Sequence, residues 1–181
     1  MFGAMSQLEL LDSGELHTRV IQEAVLTAEE YVWIATANLK DMHIPMAGKR
    51  FRPILEVFDN LAQKGVTFRI VHSDLPSRSF RRTLERFPRL TGGALELQIC
   101  PRSHWKMVIV DGQQAYCGSA NFTGAGLGAK GEHRRNLELG LFSSSAEWVH
   151  RLQSLFDGFW MGSRCARCAY RKKCPDPIGA D

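Results

Sequence analysis

The residues with the clearest capacity for chemistry lie in one short stretch, from His104 to Asn121. Two short apolar runs flank an Asp-Gly turn signal there, and this pattern predicts a β-hairpin. With a two-residue loop at positions 112–113, Lys106 falls opposite Ser119 and His104 falls opposite Asn121. An imidazole, an ammonium, a hydroxyl and a carboxamide grouped on one face suit the binding of a phosphate while a histidine attacks its phosphorus.

The types and spacing of these residues resemble the HKD signature of the phospholipase D superfamily. The match has no gap and covers all six fixed positions: His104, Lys106, Asp111, Gly118, Ser119 and Asn121. The alternative interpretation, a core histidine on an ordinary hairpin, leaves these matches unexplained. The signature occurs once, and in this the chain resembles the compact branch of the superfamily, the bacterial Nuc-type endonucleases and the mitochondrial Zucchini-type phosphodiesterases.

The resemblance implies a fold and a set of roles. The expected fold is α/β and phospholipase D-like, a mixed β-sheet flanked by helices with one HKD motif per chain. His104 is expected to be the nucleophile that forms a phosphohistidine, and a second His104 from a partner chain would be the general acid and then the base. Lys106 and Asn121 would bind the non-bridging oxygens, and Ser119 would add a hydrogen bond to the phosphate.

The resemblance also covers the segment after the hairpin. Asn136-x-Glu138 resembles the family pair in which the carboxylate orients the histidine and fixes its tautomer. Asp111 and Gly118 are expected to be structural positions of the motif. This mechanism uses no metal or other cofactor. Since one chain carries half of a site, the resemblance implies a two-fold homodimer.

Length and composition fit one globular catalytic domain with a short appendage. The chain has 181 residues, of which 44% are hydrophobic and 23% charged, as in ordinary globular proteins. We expect a phospholipase D-like domain over 1–161 and a basic, cysteine-rich tail over 162–181. The N-terminal residues lack the basic and apolar regions of a signal peptide, so a cytoplasmic location is expected.

Hydrophobic periodicity predicts alternating helices and strands, as in a sheet with parallel neighbours. A helix over 14–29 precedes an apolar strand over 31–37 and a loop over 38–52. The remaining expected elements are a helix over 53–64, a strand over 66–72, a helix capped by Ser77, strands over 95–99 and 137–142, and a closing helix capped by Ser144.

The net charge of +4 is modest, but the basic residues are clustered. One cluster lies in a glycine-containing loop and includes Lys130, Arg134 and Arg135, which we expect to face a substrate. Clusters of this kind favour a polyanion, either nucleic acid or an anionic membrane surface. A solvated face that keeps the protein soluble is the alternative for any one cluster.

Three of the five cysteines lie in the tail with the spacing C-x2-C-x5-C: Cys165, Cys168 and Cys174. An odd number with this distribution does not fit a disulfide framework. The run is similar to the terminal cysteine run of some iron–sulfur-containing nucleases. We expect a bound metal, zinc before an iron–sulfur cluster, with Cys100, His133, Asp176 or a partner chain as the fourth ligand. The alternative is a reduced basic tail without metal.

Three functions remain open at this stage. The first is a metal-independent phosphodiesterase that cleaves nucleic acid, most simply an endonuclease. The second is a phospholipase D-type hydrolase of an anionic phospholipid such as cardiolipin. The third is a nucleic-acid-binding module with an idle HKD site. Motif and fold do not choose between the first two, since one fold serves many substrates.

Overall fold

The chain folds around a seven-stranded mixed β-sheet in a computed structural model that describes residues 8–46 and 50–179. Its strands are β1 (Leu8–Asp12), β2 (Tyr31–Thr36), β5 (Thr67–His72), β6 (Leu95–Ile99), β7 (Met107–Val110), β8 (Gln114–Gly118) and β9 (Leu139–Ser143), and β3 (His43–Met46) and β4 (Arg50–Pro53) form a separate ribbon. The order across the sheet is β1-β9-β8-β7-β2-β5-β6. Strands β2, β5 and β6 run parallel, and the other pairs are antiparallel.

Helices cover both faces of this sheet, as the resemblance implies. The α-helices are α1 (Ile54–Ala62), α2 (Arg78–Leu84) and α3 (Ala146–Trp160), and the shorter helical segments are His17–Gln22, Val25–Thr27, Leu90–Ala94, Glu132–Arg134 and Arg171–Lys173. Phe58 of α1 and Phe80 of α2 belong to the larger core on one face, whereas Phe156 of α3 belongs to a smaller core on the other. The predicted fold class is confirmed.

Strand β2 shows why the sheet has a layer on each side. Val32 and Ile34 are fully buried in the larger core, whereas Trp33 and Ala35 pack in the core under α3. Alternate side chains of a strand point to opposite faces, so a strand that is apolar at every position needs cover on both. The continuous apolar run in the sequence therefore corresponds to a central strand.

The prediction of a single α-helix over 14–29 is wrong. The chain forms a π-helical turn over His17–Gln22 and a 3₁₀ turn over Val25–Thr27. The Thr27 hydroxyl donates to the carbonyl of Glu23 at 2.8 Å, the acceptor that a continuing α-helix would reserve for the Thr27 N–H. A threonine that bonds back in this way competes with regular helix geometry, and the Thr27 N–H shifts to Ala24.

The loop predicted over 38–52 contains structure that the sequence analysis missed. Strands β3 and β4 pair antiparallel from His43 opposite Pro53 to Met46 opposite Arg50. Ile44 is fully buried in the larger core and fixes this ribbon to the domain. The prediction was obscured by two prolines, which are tolerated in a two-stranded ribbon because both strands are edges. Residues 47–49 of the predicted loop lie outside the described residues.

Helix caps are predicted with mixed success. Ser77 caps α2, since its Oγ accepts the Phe80 N–H at 3.2 Å. The predicted cap of the closing helix is wrong: α3 begins after Ser145, and no side-chain hydrogen bond caps it. The Ser145 N–H instead donates to Ser143 Oγ at 3.0 Å. The Ser143 hydroxyl at the end of β9 therefore accepts the N–H of the residue before α3, while the first turn of α3 has no side-chain acceptor.

The β7–β8 hairpin turns one residue earlier than the sequence analysis predicts. Asp111 and Gly112 both have positive φ, 53° and 64°, and the Gln113 N–H donates to the Val110 carbonyl at 2.9 Å. These are the features of a turn with Asp-Gly at its centre, which suits the twist of paired strands. The strand register then places Val110 opposite Gln114.

This shift corrects the predicted facing pairs of the hairpin. Lys106 lies opposite Gly118, whose N–H donates to the Lys106 carbonyl at 3.1 Å, and not opposite Ser119. Asp111 also has a clear structural contact, because its carboxylate accepts the backbone N–H groups of Glu29, Glu30 and Tyr31 at 2.8–2.9 Å. It fixes the turn to the start of β2.

One edge of the sheet collects the segments that carry the motif. The parallel strands β2 and β5 end there at Thr36 and His72, and β7, which is antiparallel to β2, begins there just after His104. Strand β8 ends at the same edge, before Ser119. Loops that follow the carboxyl ends of parallel strands therefore meet the ends of the hairpin, a common location for a binding site in α/β folds.

Candidate active site

His104 and Lys106 are in direct contact at this edge. The Lys106 Nζ lies 2.9 Å from His104 Nδ1 and 3.5 Å from Nε2, and it also donates to the His104 carbonyl oxygen at 2.9 Å. His104 is exposed to solvent, whereas Lys106 is half-buried. The segment just before β7 therefore holds His104 and Lys106 together, and the imidazole is accessible to a substrate.

The surroundings of Lys106 alter its protonation. Burial lowers the pKa of the Lys106 ammonium, and the negative charge of Glu138 opposes this effect. A partly desolvated cation that is not neutralised by a direct carboxylate contact interacts more strongly with an incoming anion than a solvated lysine does. The site thus offers a positive charge where a phosphate oxygen would lie.

The carboxamide of Asn121 is oriented by the backbone at the end of β2. Its Oδ1 accepts the N–H groups of Ala37 and Asn38 at 3.1 and 3.2 Å and lies 3.3 Å from the Thr36 hydroxyl. Because backbone N–H groups only donate, they fix which end of the amide is oxygen. The Nδ2 group is left as a donor for another acceptor.

Thr36 is a positioning residue that the sequence analysis missed. It is fully buried, its hydroxyl donates to the Asn38 carbonyl at 2.9 Å, and the same oxygen accepts the Phe122 N–H at 2.9 Å. It therefore joins the end of β2 to the residue that follows Asn121. The signal in the sequence was a lone hydroxyl within an apolar strand, where a buried polar group needs partners.

Ser119 and Glu138 form a second group next to the first. The Ser119 hydroxyl hydrogen-bonds one Glu138 carboxylate oxygen, and the Asn136 amide donates to the other at 2.9 Å. Within the described residues no hydrogen bond joins Glu138 to His104. In the single chain, the carboxylate that the resemblance assigns to the histidine is thus bound to Ser119.

Tyr116 and two glycines shape the turn that carries Ser119 and Asn121. The buried Tyr116 hydroxyl accepts the Ala120 N–H at 3.2 Å, and burial raises the pKa of this phenol to about 12. Its ring lies over Gly140, where a Cβ would stand 2.1 Å from ring carbon Cε2. At Gly118 a Cβ would stand 2.5 Å from the Leu139 carbonyl oxygen. The motif glycine is therefore required by close packing.

The predicted basic loop does not act as one surface. Lys130 and Arg134 line a cavity of about 520 Å³ together with Lys40 and Phe51, beside the segment that follows Asn121. Arg135 lies elsewhere, lining a separate groove with Glu138 and donating to the Ser13 carbonyl at 3.3 Å. The cavity therefore carries three basic groups, Lys40 from the segment after β2 and Lys130 and Arg134 from the predicted loop.

The three tail cysteines meet Cys100 around another cavity, of about 100 Å³. Cys165, Cys168 and Cys174 are each half-buried, and the Arg102 guanidinium donates to the Cys168 sulfur at 3.5 Å. This contact, followed by backbone hydrogen bonds, lowers the pKa of the Cys168 thiol. As placed, no three His, Cys, Asp or Glu side chains among the described residues stand close enough together to hold a metal ion.

Comparisons with known proteins identify the family and the fold of this chain. A sequence model of the family described as cardiolipin synthase, PLD-like domain, matches residues 21–160. The fold is similar to that of NucT from Helicobacter pylori, with 14% identity and a TM-score of 0.60 over 84% of this chain and 94% of that one. It is also similar to Nuc from Salmonella typhimurium, a phospholipase D family member, with 18% identity and a TM-score of 0.58 over 86% and 95% of the two chains.

A third similar structure is TrmBL2, an archaeal chromatin protein, with 13% identity and a TM-score of 0.56 over 85% of this chain and 52% of that one. At these identities the structures show the fold, which is the phospholipase D fold. A search of curated protein sequences returns no match. Since the family model covers most of the chain, the chain belongs to the phospholipase D-like family. Membership places it among the phosphodiester hydrolases and phosphotransferases.

The packing of Tyr116 against Gly140 gives a direct test of how the site is supported. We expect Gly140→Ala to lower the free energy of unfolding by about 1–3 kcal/mol, because the added methyl group collides with a buried ring. Gly131→Ala is the control, since a Cβ at Gly131 meets nothing within 4 Å. Urea unfolding measures both variants. Equal stability of Gly140→Ala and the wild type would contradict the packing described here.

Proposed function

We propose that the protein is a metal-independent nuclease, which cleaves phosphodiester bonds of nucleic acid through a phosphohistidine. The observation that carries this proposal is the exposed His104 held against Lys106, with the Asn121 amide oriented toward the same edge. The lysine ammonium and the Asn121 Nδ2 supply the positive charge and hydrogen bonds that a phosphate needs as it gains a fifth oxygen or nitrogen ligand. These groups serve the purpose for which other phosphodiesterases use metal ions.

The reaction has two displacements. A ring nitrogen of His104 attacks phosphorus and the leaving oxygen takes a proton; water then attacks the phosphohistidine, and His104 is released. The attacking nitrogen must be free of a proton, so the other nitrogen must carry it and donate to an acceptor. Lys106 is a donor and cannot serve as that acceptor. A carboxylate has to take its place in the working site, and Glu138 is the candidate that the motif offers.

The leaving oxygen needs an acid, and among the described residues no second histidine is hydrogen-bonded to His104 or Lys106. His72, the other histidine at the end of a neighbouring strand, is 1% exposed, its Nδ1 is bound to the Asp74 carbonyl, and burial lowers its pKa. Its burial therefore disfavours the charged form that an acid needs. A second copy of His104 from a homodimer supplies the missing acid, with the two half-sites facing each other.

An uncovered apolar face beside the site supports this homodimer. Leu8, Leu10 and Leu139 lie on one face of the β1–β9 pair and are 54%, 67% and 58% exposed. Helix α3 covers this face of the sheet farther along, but not at these strands. Leu137, which is 97% exposed, lies two residues before Leu139 and next to Glu138. Exposed leucines grouped in this way are typical of protein–protein contacts.

The basic cavity favours nucleic acid as the substrate. Lys40, Lys130 and Arg134 surround a space that continues from the turn after Asn121, and Phe51 offers a ring on which a base can stack. A nucleic-acid strand presents a regular series of phosphates, so cations beyond the scissile bond can bind the flanking ones. A lipid head group presents one or two phosphates and leaves these cations without a partner.

Hydrolysis of an anionic phospholipid is the second candidate, and the observation that favours it is the family model itself, whose description names cardiolipin synthase. Among the described residues no helix is both long and apolar enough to cross a bilayer. The third candidate, a nucleic-acid-binding module with an idle site, is disfavoured by the contact between His104 and Lys106.

The first experiment compares cleavage of single- and double-stranded DNA and RNA and of cardiolipin vesicles, in excess EDTA. We expect the wild type to cleave nucleic acid and His104→Ala to lose at least roughly 10³-fold in rate, because the covalent route is removed. His150→Ala, a change at an exposed histidine on α3, is the matched control and should retain full activity. Cleavage of vesicles alone would refute the nuclease and favour the phospholipase D-type hydrolase. Equal rates for His104→Ala and the wild type would refute the mechanism.

The dimer is tested separately by Leu10→Lys, which places a charge in the uncovered apolar face. We expect a shift from dimer to monomer in light scattering coupled to gel filtration, together with a loss of cleavage by the folded monomer. Leu75→Lys is the control, because Leu75 is 64% exposed and lies outside the β1–β9 pair. A monomer with the cleavage rate of the wild-type protein would show that one chain holds a complete site.

A further inference from the structure

The fold brings four of the five cysteines to one place, although they are far apart in the sequence. Cys100 directly follows β6, and its N–H donates to the His72 carbonyl at 2.8 Å, so the sheet fixes its position. Cys165, Cys168 and Cys174 come from the tail, and all four line the same cavity of about 100 Å³. Cys117 on β8 does not line it.

Contacts from both sides hold the tail over this cavity. The Asp176 carboxylate accepts the Ile99 N–H at 3.1 Å, so it covers a backbone donor of the edge strand β6. Arg102 reaches the Cys168 sulfur, and Ile178 packs so closely on Gly162 that a Cβ there would lie 2.6 Å from Ile178 Cγ2. The tail thus returns to the domain in a defined conformation.

Besides these contacts, the tail conformation is stabilised by backbone turn hydrogen bonds and by the Arg171 guanidinium, which donates to the carbonyls of Ile178 and Gly179. None of its described residues, 162–179, is buried, and it contains a single 3₁₀ turn, Arg171–Lys173, of three basic residues. A segment of this length cannot build a hydrophobic core, and such segments usually depend on disulfides or a metal. All five cysteines are free thiols, so a disulfide does not supply the link.

We propose that Cys100, Cys165, Cys168 and Cys174 form a four-thiolate metal centre, for zinc or an iron–sulfur cluster, which fastens the tail to the end of β6. Both occupants take four cysteine ligands, and two cysteines in C-x2-C spacing can bind one metal from a single turn. The sulfur atoms line the cavity without converging on one point. Binding therefore includes rotation of the cysteine side chains toward the cavity.

The centre lies next to the segment that carries His104, four residues after Cys100. Trp105 lines the same cavity, packs against Phe159 of α3 with ring centroids 5.0 Å apart, and lies under the Arg164 guanidinium of the tail. A metal at the four cysteines therefore links the segment after β6, through Cys100, to the tail that carries Arg164. The inference concerns the stability of the tail and does not depend on the proposed nuclease activity.

The test is the metal content of the full chain, produced with zinc and iron in the medium and purified without oxygen. We expect one zinc per chain, or iron with acid-labile sulfide and visible absorption. After dialysis against EDTA, Cys100→Ser should retain at least roughly tenfold less metal than the wild type, whereas Cys117→Ser, at a half-buried thiol outside the cavity, should retain all of it.

Cys174→Ser provides a second test in case Cys100→Ser does not fold, because it alters only the tail. We expect the folded Cys174→Ser to lose metal and its tail to be cleaved by trypsin faster than that of the wild type. A wild-type chain with less than roughly a tenth of an equivalent of zinc or iron would overturn the proposal. So would a folded Cys174→Ser with the wild-type metal content, or a disulfide between any two of the four cysteines.

Discussion

The antiparallel pairing of β2 with β7 is the constraint on which the rest of the site depends. In this register Ala35 lies opposite Met107, and both are buried. Because β2 and β7 run antiparallel, the carboxyl end of β2 and the amino end of β7 come to the same edge, where the parallel strand β5 also ends. One residue beyond this pair, Thr36 at the end of β2 and Lys106 just before β7 are thereby neighbours on adjacent strands.

At this edge, a few hydrogen bonds orient the side chains that follow the strand ends. The backbone after Thr36 fixes the Asn121 amide, and Tyr116 fixes the turn that leads to it. The chemically active groups are thus held by the rigid part of the fold, while His104 remains exposed. Preorganised donors of this kind lower the barrier of phosphoryl transfer, since they do not have to reorient as negative charge develops. Among the described residues no second histidine is hydrogen-bonded to His104 or Lys106, and the Glu138 carboxylate binds Ser119 and not His104. Both observations support the homodimer that we propose.

The sequence predicts the fold class and the central strand because apolar periodicity and the motif are local signals. It misplaces the hairpin register by one residue, since the choice between Asp111-Gly112 and Gly112-Gln113 as the turn depends on the carboxylate contact with the start of β2, 80 residues earlier along the chain. The roles of Thr36, Tyr116 and Gly140 are likewise properties of packing between strands distant in sequence. The tail spacing predicts three metal ligands, but the choice of Cys100 among four candidates for the fourth needs the cavity that only the fold creates.

The covalent intermediate is the central claim, and stereochemistry at phosphorus tests it most directly. The substrate is a dinucleotide phosphorothioate of known configuration, cleaved in ¹⁸O-enriched water. Two successive displacements, by His104 and then by water, each invert the configuration, so the account predicts net retention. This outcome does not depend on whether the phosphohistidine accumulates. Net inversion would mean that water attacks the phosphodiester directly, and it would contradict the account.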